Sequence, residues 1–497
     1  MKSAVRYFIL SVVLGLLASC QSAQLTAVNV FVTADIEGFF WSRPEPRYAN
    51  EITGGFSILK SFLEQQTSPF LLLEGGNWFS QTPEGMLSQG AYFNTAADGI
   101  PYAGRMFTEK DLMYGWGPLT HLLKDSAAPF IVSNVTMRNG KLAAGMKPWL
   151  LKEVDGYKIG VLGVLGRGVL QEKQRTSGME VLPETESVRK TVEVLRNKGA
   201  QAIIVLSGLT VSGQEKGLTA AALAQEVQGI DVIISANTGQ ENAQTAQVGK
   251  TLLVGVGSRL DSVGRIQLFF TKKGEVAESR FEDIVLYKRD FGEDETTAQT
   301  VAALRQKAQR QLSRPAGQSG AVLEGNLNGE SALGDWAADC LRRWAKTEVA
   351  VLNAAALRDT LPQGTVTEYD VYKLYPYTDH VTYLTMKGKA LWQALENSLS
   401  VADNFAQVSG LKIRYNPNAE KGKKISAVWV QGYPLSKSAS YRVAVTDHML
   451  AGGAGHDGFI DSLEFKNTQV DMRTVLRLCM SNKKVTAPAA GRWSVQK

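Results

Sequence analysis

The sequence contains few of the side chains that bind metal ions and carry protons, because its 497 residues include four histidines and three cysteines. The histidines are His121, His380, His448 and His456. A function that needs several imidazoles in one site is therefore disfavoured. Three cysteines are too few for a disulfide framework, and they lack the C-x-x-C spacing of a zinc site. Cys340 and Cys479 lie in apolar stretches, which favours buried thiols, although a disulfide between them stays open if the compartment is oxidising.

The sequence also lacks a basic stripe interleaved with aromatic residues, although 54 Lys and Arg against 48 Asp and Glu give a formal net charge of +6. Nucleic-acid binding is therefore not expected. With 44% hydrophobic and 21% charged residues, the composition excludes collagen-like and wholly disordered chains. The length predicts two or three compact units, and we expect a monomer.

The first twenty residues have the pattern of an export signal. Lys2 and Arg6 give a positively charged start, and residues 7–19 form an apolar run that is short for a mature transmembrane helix. The run ends in Leu-Ala-Ser-Cys at residues 17–20, which resembles the lipobox of bacterial lipoproteins. Residues 1–20 are therefore interpreted as a lipoprotein signal peptide with Cys20 as the lipidated residue; a plain secretory signal is the alternative. The expected location is the bacterial cell envelope, with the chain lipid-anchored on its periplasmic or extracellular face.

Short apolar runs and amphipathic stretches alternate through the first half of the chain. The runs at 28–33, 70–73, 159–165, 202–206 and 232–234 predict strands, and the segments 184–197 and 220–227 predict helices. This alternation indicates a layered α/β domain over residues 27–290, whose chemistry gathers on loops after the carboxyl ends of strands. An amphipathic helix at 294–312 lies in a connector of residues 291–318. The remaining residues, 319–497, mix helix and strand patterns and predict an α+β domain.

Four segments of the second domain resemble motifs of the 5'-nucleotidase family, in the same order. They are Asn-Ala-Ala-Ala-Leu-Arg at 353–358 for N-x-G-G-I-R, Leu-Tyr-Pro-Tyr at 374–377 for L-x-P-F, Phe-Ala-Gln-Val-Ser-Gly at 405–410 for F-x-Q-V-S-G, and Thr-Asp-His at 446–448 with Gly-Gly-Ala-Gly-His at 452–456 for N-D-F and G-G-D-G-Y. The framework of the first domain is similar too, as in Leu-Leu-Leu-Glu-Gly-Gly-Asn at 71–77. The resemblance implies a four-layer metallophosphatase-like α/β/β/α sandwich followed by a 5'-nucleotidase C-terminal α+β domain, which binds the nucleotide.

The metal ligands of that family are mostly replaced in this chain. In the family, a D-x-H, a G-D aspartate, a G-N-H-E, a later histidine and a G-H-x-H hold two divalent metal ions. The aligned positions carry, in that order, Asp35-Ile36-Glu37, Asn77, Thr108-Glu109-Lys110-Asp111, Gly208 and Ala236-Asn237-Thr238-Gly239. An amide in place of the bridging carboxylate removes charge between two cations, and glycine supplies no side-chain ligand. We therefore expect no dinuclear metal site and no cofactor.

A rebuilt all-oxygen site is the alternative that keeps an enzyme. Carboxylate and amide oxygens are ligands for hard divalent cations, and Asp35, Glu37 and Asn77 are the candidate metal ligands, with Glu109, Asp111 and Asn237 as further oxygen donors. On this hypothesis the chain is a 5'-nucleotidase or phosphomonoester hydrolase that uses Mn²⁺, Mg²⁺, Zn²⁺ or Ca²⁺. The competing interpretation treats these side chains as polar loop residues.

The resemblance also implies ligand-binding positions in the second domain. Arg358 could meet a phosphate with its planar guanidinium, Phe405 could stack on a base, and Gln407 could hydrogen-bond the base edge. His456 stands where the family has a second aromatic residue that closes over the base. The competing interpretation makes Phe405 a core residue and Arg358 a surface charge.

Together these residues predict a lipid-anchored 5'-nucleotidase-family pseudoenzyme of the bacterial envelope. It would bind a nucleotide or another phosphate-containing small molecule and contact the membrane through Cys20. The active hydrolase described above is the alternative. A purely structural role in the envelope, which needs neither ligand nor metal, is a third hypothesis.

Overall fold

A computed structural model describes residues 25–166, 179–211, 217–236, 240–460, 462–481 and 483–496. The chain folds into two units. The first consists of the residues up to Phe79 together with Phe93–Ala302, and the second consists of Ser80–Tyr92 and the residues from Ala303 onward. The division therefore falls inside the expected connector of residues 291–318. A short early segment, Ser80–Tyr92, belongs to the second unit, although it lies within the residues 27–290 expected for the first domain.

The elements up to the connector follow the predicted alternation of strands and helices. The strands are β1 (Thr26–Thr33), β2 (Arg43–Glu45), β3 (Glu51–Thr53), β4 (Phe70–Glu74), β5 (Gly104–Arg105), β6 (Phe130–Ile131), β7 (Val135–Met137), β8 (Met146–Lys147), β9 (Trp149–Val154), β10 (Tyr157–Val164), β11 (Met179–Val181), β12 (Ala202–Ser207), β13 (Val232–Ser235), β14 (Gln244–Val248), β15 (Thr251–Gly255), β16 (Ser262–Phe270) and β17 (Val276–Val285). The helices are α1 (Gly55–Glu64), α2 (Pro83–Ser88), α3 (Ala91–Ala96), α4 (Trp116–Asp125), α5 (Glu184–Asn197), α6 (Ala220–Glu226), α7 (Lys288–Phe291) and α8 (Glu295–Leu312).

The strands of the first unit form two large sheets. Their orders are β17-β16-β1-β4-β5-β6-β8 and β14-β15-β13-β12-β10-β9. Strand β1 pairs in parallel with β4, and β12 pairs in parallel with β10 and β13. Thr33, the last residue of β1, pairs with Glu74, the last residue of β4. The loops that follow these two strands therefore leave the sheet at the same edge.

Helices cover the outer faces of both sheets. Phe62 of α1 packs edge-on against a ring of β1, with centroids 5.2 Å apart, and Leu195 of α5 lies in the buried cluster that contains Ile203 of β12. The inner faces meet where Tyr157 of β10 stacks on Phe270 of β16, with centroids 4.1 Å apart. This arrangement confirms the predicted four-layer α/β/β/α sandwich.

The second unit confirms the predicted α+β class. Its strands are β18 (Pro315–Ser319), β19 (Val349–Asn353), β20 (Gly364–Thr367), β21 (His380–Lys387), β22 (Ala406–Ser409), β23 (Leu411–Tyr415), β24 (Ile425–Val430), β25 (Tyr433–Pro434), β26 (Ser440–Thr446), β27 (Glu464–Asp471) and β28 (Trp493–Val495). Its longer helices, with the short α12, are α9 (Ala332–Ala345), α10 (Glu368–Leu374), α11 (Gly388–Ser398), α12 (Asp447–Leu450) and α13 (Met472–Ser481). The sheets have the orders β22-β19-β26-β21-β27, β25-β24-β23-β28 and β18-β20.

Helices α9 and α13 pack side by side in the core of the second unit. Cys340 of α9 and Cys479 of α13 form a disulfide there, with Cα atoms 5.7 Å apart. The expectation of buried free thiols is therefore wrong, because the packing of two helices 139 residues apart in sequence brings the sulfur atoms together. Sequence spacing contains no sign of this contact.

Two further observations concern membrane-spanning helices and the residues outside the described ranges. Within the described residues, every helix is too short or too polar to span a lipid bilayer. The signal peptide of residues 1–20 and its Cys20 lie outside the described residues, as does the Asn237-Thr238-Gly239 segment.

Candidate functional site

Two loops of the first unit bring the three predicted metal ligands together. Asp35 and Glu37 follow β1, and Asn77 follows β4. The Glu37 amide donates to the Asn77 carbonyl at 2.9 Å. All three residues have left-handed backbones, with φ of 49°, 57° and 59°. Such conformations are uncommon outside glycine and concentrate at functional loops.

The Asn77 side chain faces the two carboxylates as a donor. Its Nδ2 donates to Asp35 Oδ1 at 2.7 Å, and it lies 3.5 Å from Glu37 Oε1. The opposite amide orientation would place an oxygen against two carboxylates, so the observed orientation is the favourable one. The Asn77 amide therefore links the two carboxylates through its donor group.

Asp111 supports the same loop from inside the fold. Its side chain is buried, and it accepts hydrogen bonds from the amides of Asn77, Trp78 and Thr108 at 2.7, 2.9 and 2.9 Å and from the Thr108 hydroxyl at 3.2 Å. Desolvation raises its pKa to about 6, against the opposing effect of these hydrogen bonds. The carboxylate holds the loop shape, and its oxygens are already in use.

Cationic side chains act on the same cluster. Burial raises the pKa of Glu37, and the like charge of Asp35 adds to this, while Lys110 and Arg259 act in the opposite direction. The Arg259 amide also donates to the Asp35 carbonyl at 2.8 Å. Lys110 thus adds positive charge near the carboxylates.

The described loops near Asp35 and Asn77 supply few side-chain ligands for a metal ion. Gly208 provides no ligand, and the point where its Cβ would lie is 3.8 Å from Glu109 Oε2. Within the part of the chain that the structure describes, His, Cys, Asp and Glu side chains form no group of three or more that could hold a metal ion. The Asn77 amide donates to Asp35, and both oxygens of Asp111 accept hydrogen bonds within the loop. Asp35 and Glu37 are then the two remaining carboxylates that lie next to each other.

Two buried ionisable side chains, Glu74 and Arg105, lie near the Asn77 loop, and the sequence analysis assigned neither of them to the site. Glu74 is fully buried, and its Oε1 accepts from the Gly76 amide at 2.9 Å. Burial raises its pKa to about 8, although the charge of Arg105 acts to lower it. The Arg105 guanidinium lies 4.4 Å from the ring centroid of Trp78 and 5.1 Å from that of Phe130. The sequence feature that indicates a buried acid here is the glutamate at the end of a run of three leucines, residues 71–74.

In the second unit, Arg358 is an exposed side chain near the exposed Tyr377. Its amide donates to the Leu374 carbonyl at 2.9 Å, which links the two predicted motif segments. Burial raises the pKa of Tyr377, and the Arg358 charge opposes the shift. Tyr377 is 37% exposed, and its ring lies edge-on to Tyr375 at 6.0 Å. A guanidinium and a phenol ring are thus accessible together.

Phe405 and Gln407 lie inside the second unit. The Phe405 ring is 8% exposed and packs edge-on against Trp493 at 4.8 Å. Gln407 Oε1 accepts from the Ser331 amide and hydroxyl, both at 3.1 Å, and its Nε2 donates to the Gly329 carbonyl at 2.8 Å. Contact of either side chain with a base would need these interior contacts to change.

Two histidines of the second unit have different surroundings. His456, the predicted second ring of the base site, is 1% exposed. His380 is partly exposed, and its Nδ1 lies 3.2 Å from Asp447 Oδ2, while its amide donates to Asp447 Oδ1 at 2.9 Å. The Asp447 contact raises the pKa of His380. His380 lies in none of the family motifs, and its partner Asp447 is 67 residues away in the sequence.

Comparison with known proteins places these features in a family. Residues 309–461 match the family model for the 5'-nucleotidase, C-terminal domain. The chain is 23% identical over 498 residues to the 5'-nucleotidase of Vibrio cholerae serotype O1, which covers 89% of this chain and 88% of that protein. It is 24% identical over 343 residues to the trifunctional nucleotide phosphoesterase protein YfkN of Bacillus subtilis; this covers 65% of this chain, which spans about a quarter (23%) of that protein.

Solved structures extend the similarity to the whole fold. A 5'-nucleotidase precursor from Thermus thermophilus aligns with a TM-score of 0.72 at 22% identity, over 95% of this chain and 99% of that one. The fold and its loop positions thus define a metallophosphatase-like domain joined to a nucleotidase-type C-terminal domain. Residues 309–461 belong to the 5'-nucleotidase C-terminal domain family, and the chain as a whole is similar to 5'-nucleotidases in sequence and fold.

Proposed function

We propose that this 5'-nucleotidase-family protein binds a nucleotide or another phosphate-containing small molecule without hydrolysing it. We further propose that lipidated Cys20 anchors it to a membrane of the bacterial cell envelope. The relatives named above are 5'-nucleotidases and a nucleotide phosphoesterase, which suggests the ligand class. The local chemistry of the first unit argues against turnover.

The hydrogen bond from Asn77 to Asp35 is the observation that carries the proposal. In the family a carboxylate at this position bridges two cations, whereas the Asn77 amide is neutral and donates at 2.7 Å. Lys110 and Arg259 place positive charge near Glu37. A site that has internal donors and cations for its two carboxylates has little further affinity for a divalent ion, because the ligand charge is already compensated.

Hydrolysis also requires a group that activates water. A general base must reach the proton that it removes and have a pKa near the working pH. Asp111 has a pKa of about 6, but its oxygens are held by three backbone amides and a hydroxyl. Lys110, in the place of the histidine, enters as a charged ammonium. Neither Asp111 nor Lys110 is therefore available as a base for a water molecule.

Ligand binding is proposed for the accessible part of the second unit. Arg358 would contact phosphate, since guanidinium groups bind phosphate oxygens in pairs. Tyr377 would provide a ring face or a hydroxyl beside it. Phe405, Gln407 and His456 are buried and would reach a ligand only after a local rearrangement.

Phosphate release by the full chain in detergent tests the first part. We expect no release above the protein-free rate from nucleoside monophosphates or sugar phosphates with Mn²⁺, Zn²⁺, Mg²⁺ or Ca²⁺, and a rise in melting temperature with AMP. Metal-dependent release that disappears in an Asp35→Ala, Glu37→Ala variant, but persists in an exposed-acid control, Glu153→Ala, Glu193→Ala, would establish the hydrolase instead.

Anchoring is tested separately in cells. The full chain is expected in the membrane fraction, and Cys20→Ser is expected to release it, because acyl chains and no spanning helix would hold it. Membrane retention of the Cys20→Ser variant would contradict lipidation at this residue.

A further inference from the structure

A cavity of about 430 Å³ lies within the second unit. Its walls come from α9, from α13 and from residues 483–488, and its described lining does not include Arg358 or His456. The volume falls in the range of small-molecule sites, about 300–1,000 Å³. Neither the family motifs nor the proposed function uses this cavity.

One side of the cavity is apolar and aromatic. Trp336 and Trp344 line it from α9, and Val475 and Leu478 line it from α13. Trp336 is 4% exposed, Trp344 is half-buried, and Leu478 is 45% exposed. The half-buried Trp344 offers part of its indole ring to the cavity, so this part of the lining is suited to a planar apolar group.

Other residues of the lining carry positive charge. Arg343, Lys483 and Lys484 line the cavity and are exposed. Asp339 also lines it, but its two oxygens are bound by Arg492 Nη1 and Nη2, both at 2.9 Å. In the described part of the chain, none of the three lining cations forms an ion pair with an acid. The cavity therefore has a positive rim that internal acids do not neutralise.

The disulfide fixes the two helical walls. Cys340 and Cys479 both line the cavity and join α9 to α13. Arg343 Nη2 donates to Cys479 Sγ at 3.2 Å, and its Nε donates to the Asp339 carbonyl at 3.2 Å. The guanidinium is thus held at the cavity, which lowers the entropy lost when it binds a ligand.

We propose that this cavity binds a small organic anion with a flat aromatic body. The ring would lie against the tryptophan side, and the anionic group would face Arg343, Lys483 and Lys484. The cavity shares no residue with the Arg358 surface. A test of this proposal is therefore independent of a test of the proposed nucleotide binding.

Calorimetric titration of the oxidised full chain with 2-naphthoate tests the proposal. We expect one saturable site. The uncharged analogue 2-naphthamide and the double variant Lys483→Ala, Lys484→Ala should each bind about tenfold more weakly, the effect of losing a charge-assisted contact. Cyclohexanecarboxylate, which keeps the charge but is not planar, should also bind more weakly.

The matched control is Lys412→Ala, Lys421→Ala, which removes two exposed lysines that do not line the cavity. This variant should bind 2-naphthoate as the unaltered chain does. Reduction of the disulfide should weaken binding, because the two walls are then no longer joined. Equal affinity for naphthoate and naphthamide, or an unchanged affinity in the Lys483, Lys484 variant, would overturn the proposal.

Discussion

Asn77 donates a 2.7 Å hydrogen bond to Asp35, and both residues hold left-handed backbones at the ends of adjacent parallel strands. The strained loop geometry of a metal-binding edge is thus present, while the contact across it is between an amide and a carboxylate. An internal hydrogen bond stabilises an arrangement that would otherwise place two carboxylates together. Changing Asn77 should therefore reveal how much the cluster depends on this amide.

Asn77→Asp should destabilise the first unit at neutral pH by about 1–3 kcal/mol, because a donor becomes a third acid beside Asp35 and Glu37. Like charges and burial should raise the pKa of the new carboxyl. The neutral form is then the compatible one, so the deficit should shrink as pH falls. Urea unfolding at pH 4.5 and 7.5, with and without Mn²⁺, measures both effects.

The control for this change is Asn77→Ala, which loses the donor but adds no charge. Its deficit should not depend on pH or on Mn²⁺, whereas Mn²⁺ should recover part of the stability of Asn77→Asp. Equal deficits of the aspartate variant at both pH values would contradict the role assigned to the amide.

Glu74 should make the first unit less stable as the solution becomes more alkaline. Its pKa is raised from 4.5 to about 8 by burial, so between these values the folded chain binds more protons than the unfolded chain. Its contribution to stability is complete below pH 4.5 and is lost as pH rises through 8. The slope from this group is about 1.4 kcal/mol per pH unit.

Glu74→Gln tests that slope with little change of shape. The stability of the variant relative to the unaltered chain should rise with pH across the interval, as measured by urea unfolding followed through the fluorescence of the nearby Trp78. Glu193→Gln, an exposed change on α5, should leave the slope as it is. Parallel curves for Glu74→Gln and the unaltered chain would show that Glu74 is ionised in the folded state.

Arg358→Ala and Gln407→Ala should separate ligand contact from internal support. Arg358 is exposed, so its removal should weaken AMP binding about tenfold or more with little change in melting temperature. Gln407→Ala leaves Ser331 and Gly329 without their partner and should cost about 2–3 kcal/mol. Thermal unfolding and AMP titration of both variants decide this; a stable Gln407→Ala chain with lost AMP binding would place that side chain at the ligand.

Reduction of the Cys340–Cys479 disulfide should weaken the second unit selectively. The residues are 139 positions apart, and closing a loop of that size stabilises a fold by about 3–5 kcal/mol in the chain-entropy model. Hydrogen exchange in a Cys20→Ser background should show faster exchange in α9 and α13 after reduction. Exchange in α5 of the first unit should stay the same, and uniform acceleration across both units would contradict this.

His380 should titrate above its ordinary pKa of 6.5, because Asp447 stabilises its charged form. The pair then adds stability below pH 6.5 that is lost as pH rises through the folded value. Asp447→Asn should lower the pKa of His380. With four histidines in the chain, imidazole NMR signals can be assigned by single substitutions, and a His380 pKa at or below 6.5 would exclude the pairing.

The parts of the fold that depend on local pattern were predictable. Helix α5 occupies Glu184–Asn197, as its amphipathic pattern predicts, and β1 includes all of residues 28–33. Asp35 and Asn77 were candidate ligands of one site through the family resemblance, and the loops that carry them follow neighbouring parallel strands. Periodicity and topology are sufficient for such statements.

The contacts that each side chain makes could not be predicted from local sequence patterns. Gln407 contacts Ser331 across 76 residues, and His380 contacts Asp447 across 67. Nothing near these residues in the sequence records such partners, because hydrogen bonding depends on where distant loops arrive. A family motif identifies a position, and the tertiary contacts then decide whether its side chain faces a ligand or the interior.

The segment Ser80–Tyr92 is synthesised long before the rest of the unit to which it belongs. It belongs to the second unit, where α2 contacts α10 and Met86 Sδ lies 4.0 Å from Arg473 Nη1. A ribosome makes this helix long before its partners, since chains emerge amino terminus first. The second unit therefore completes its core only when its last helices have been made, and a single cut in the connector would yield a carboxy-terminal fragment that lacks one of its own helices.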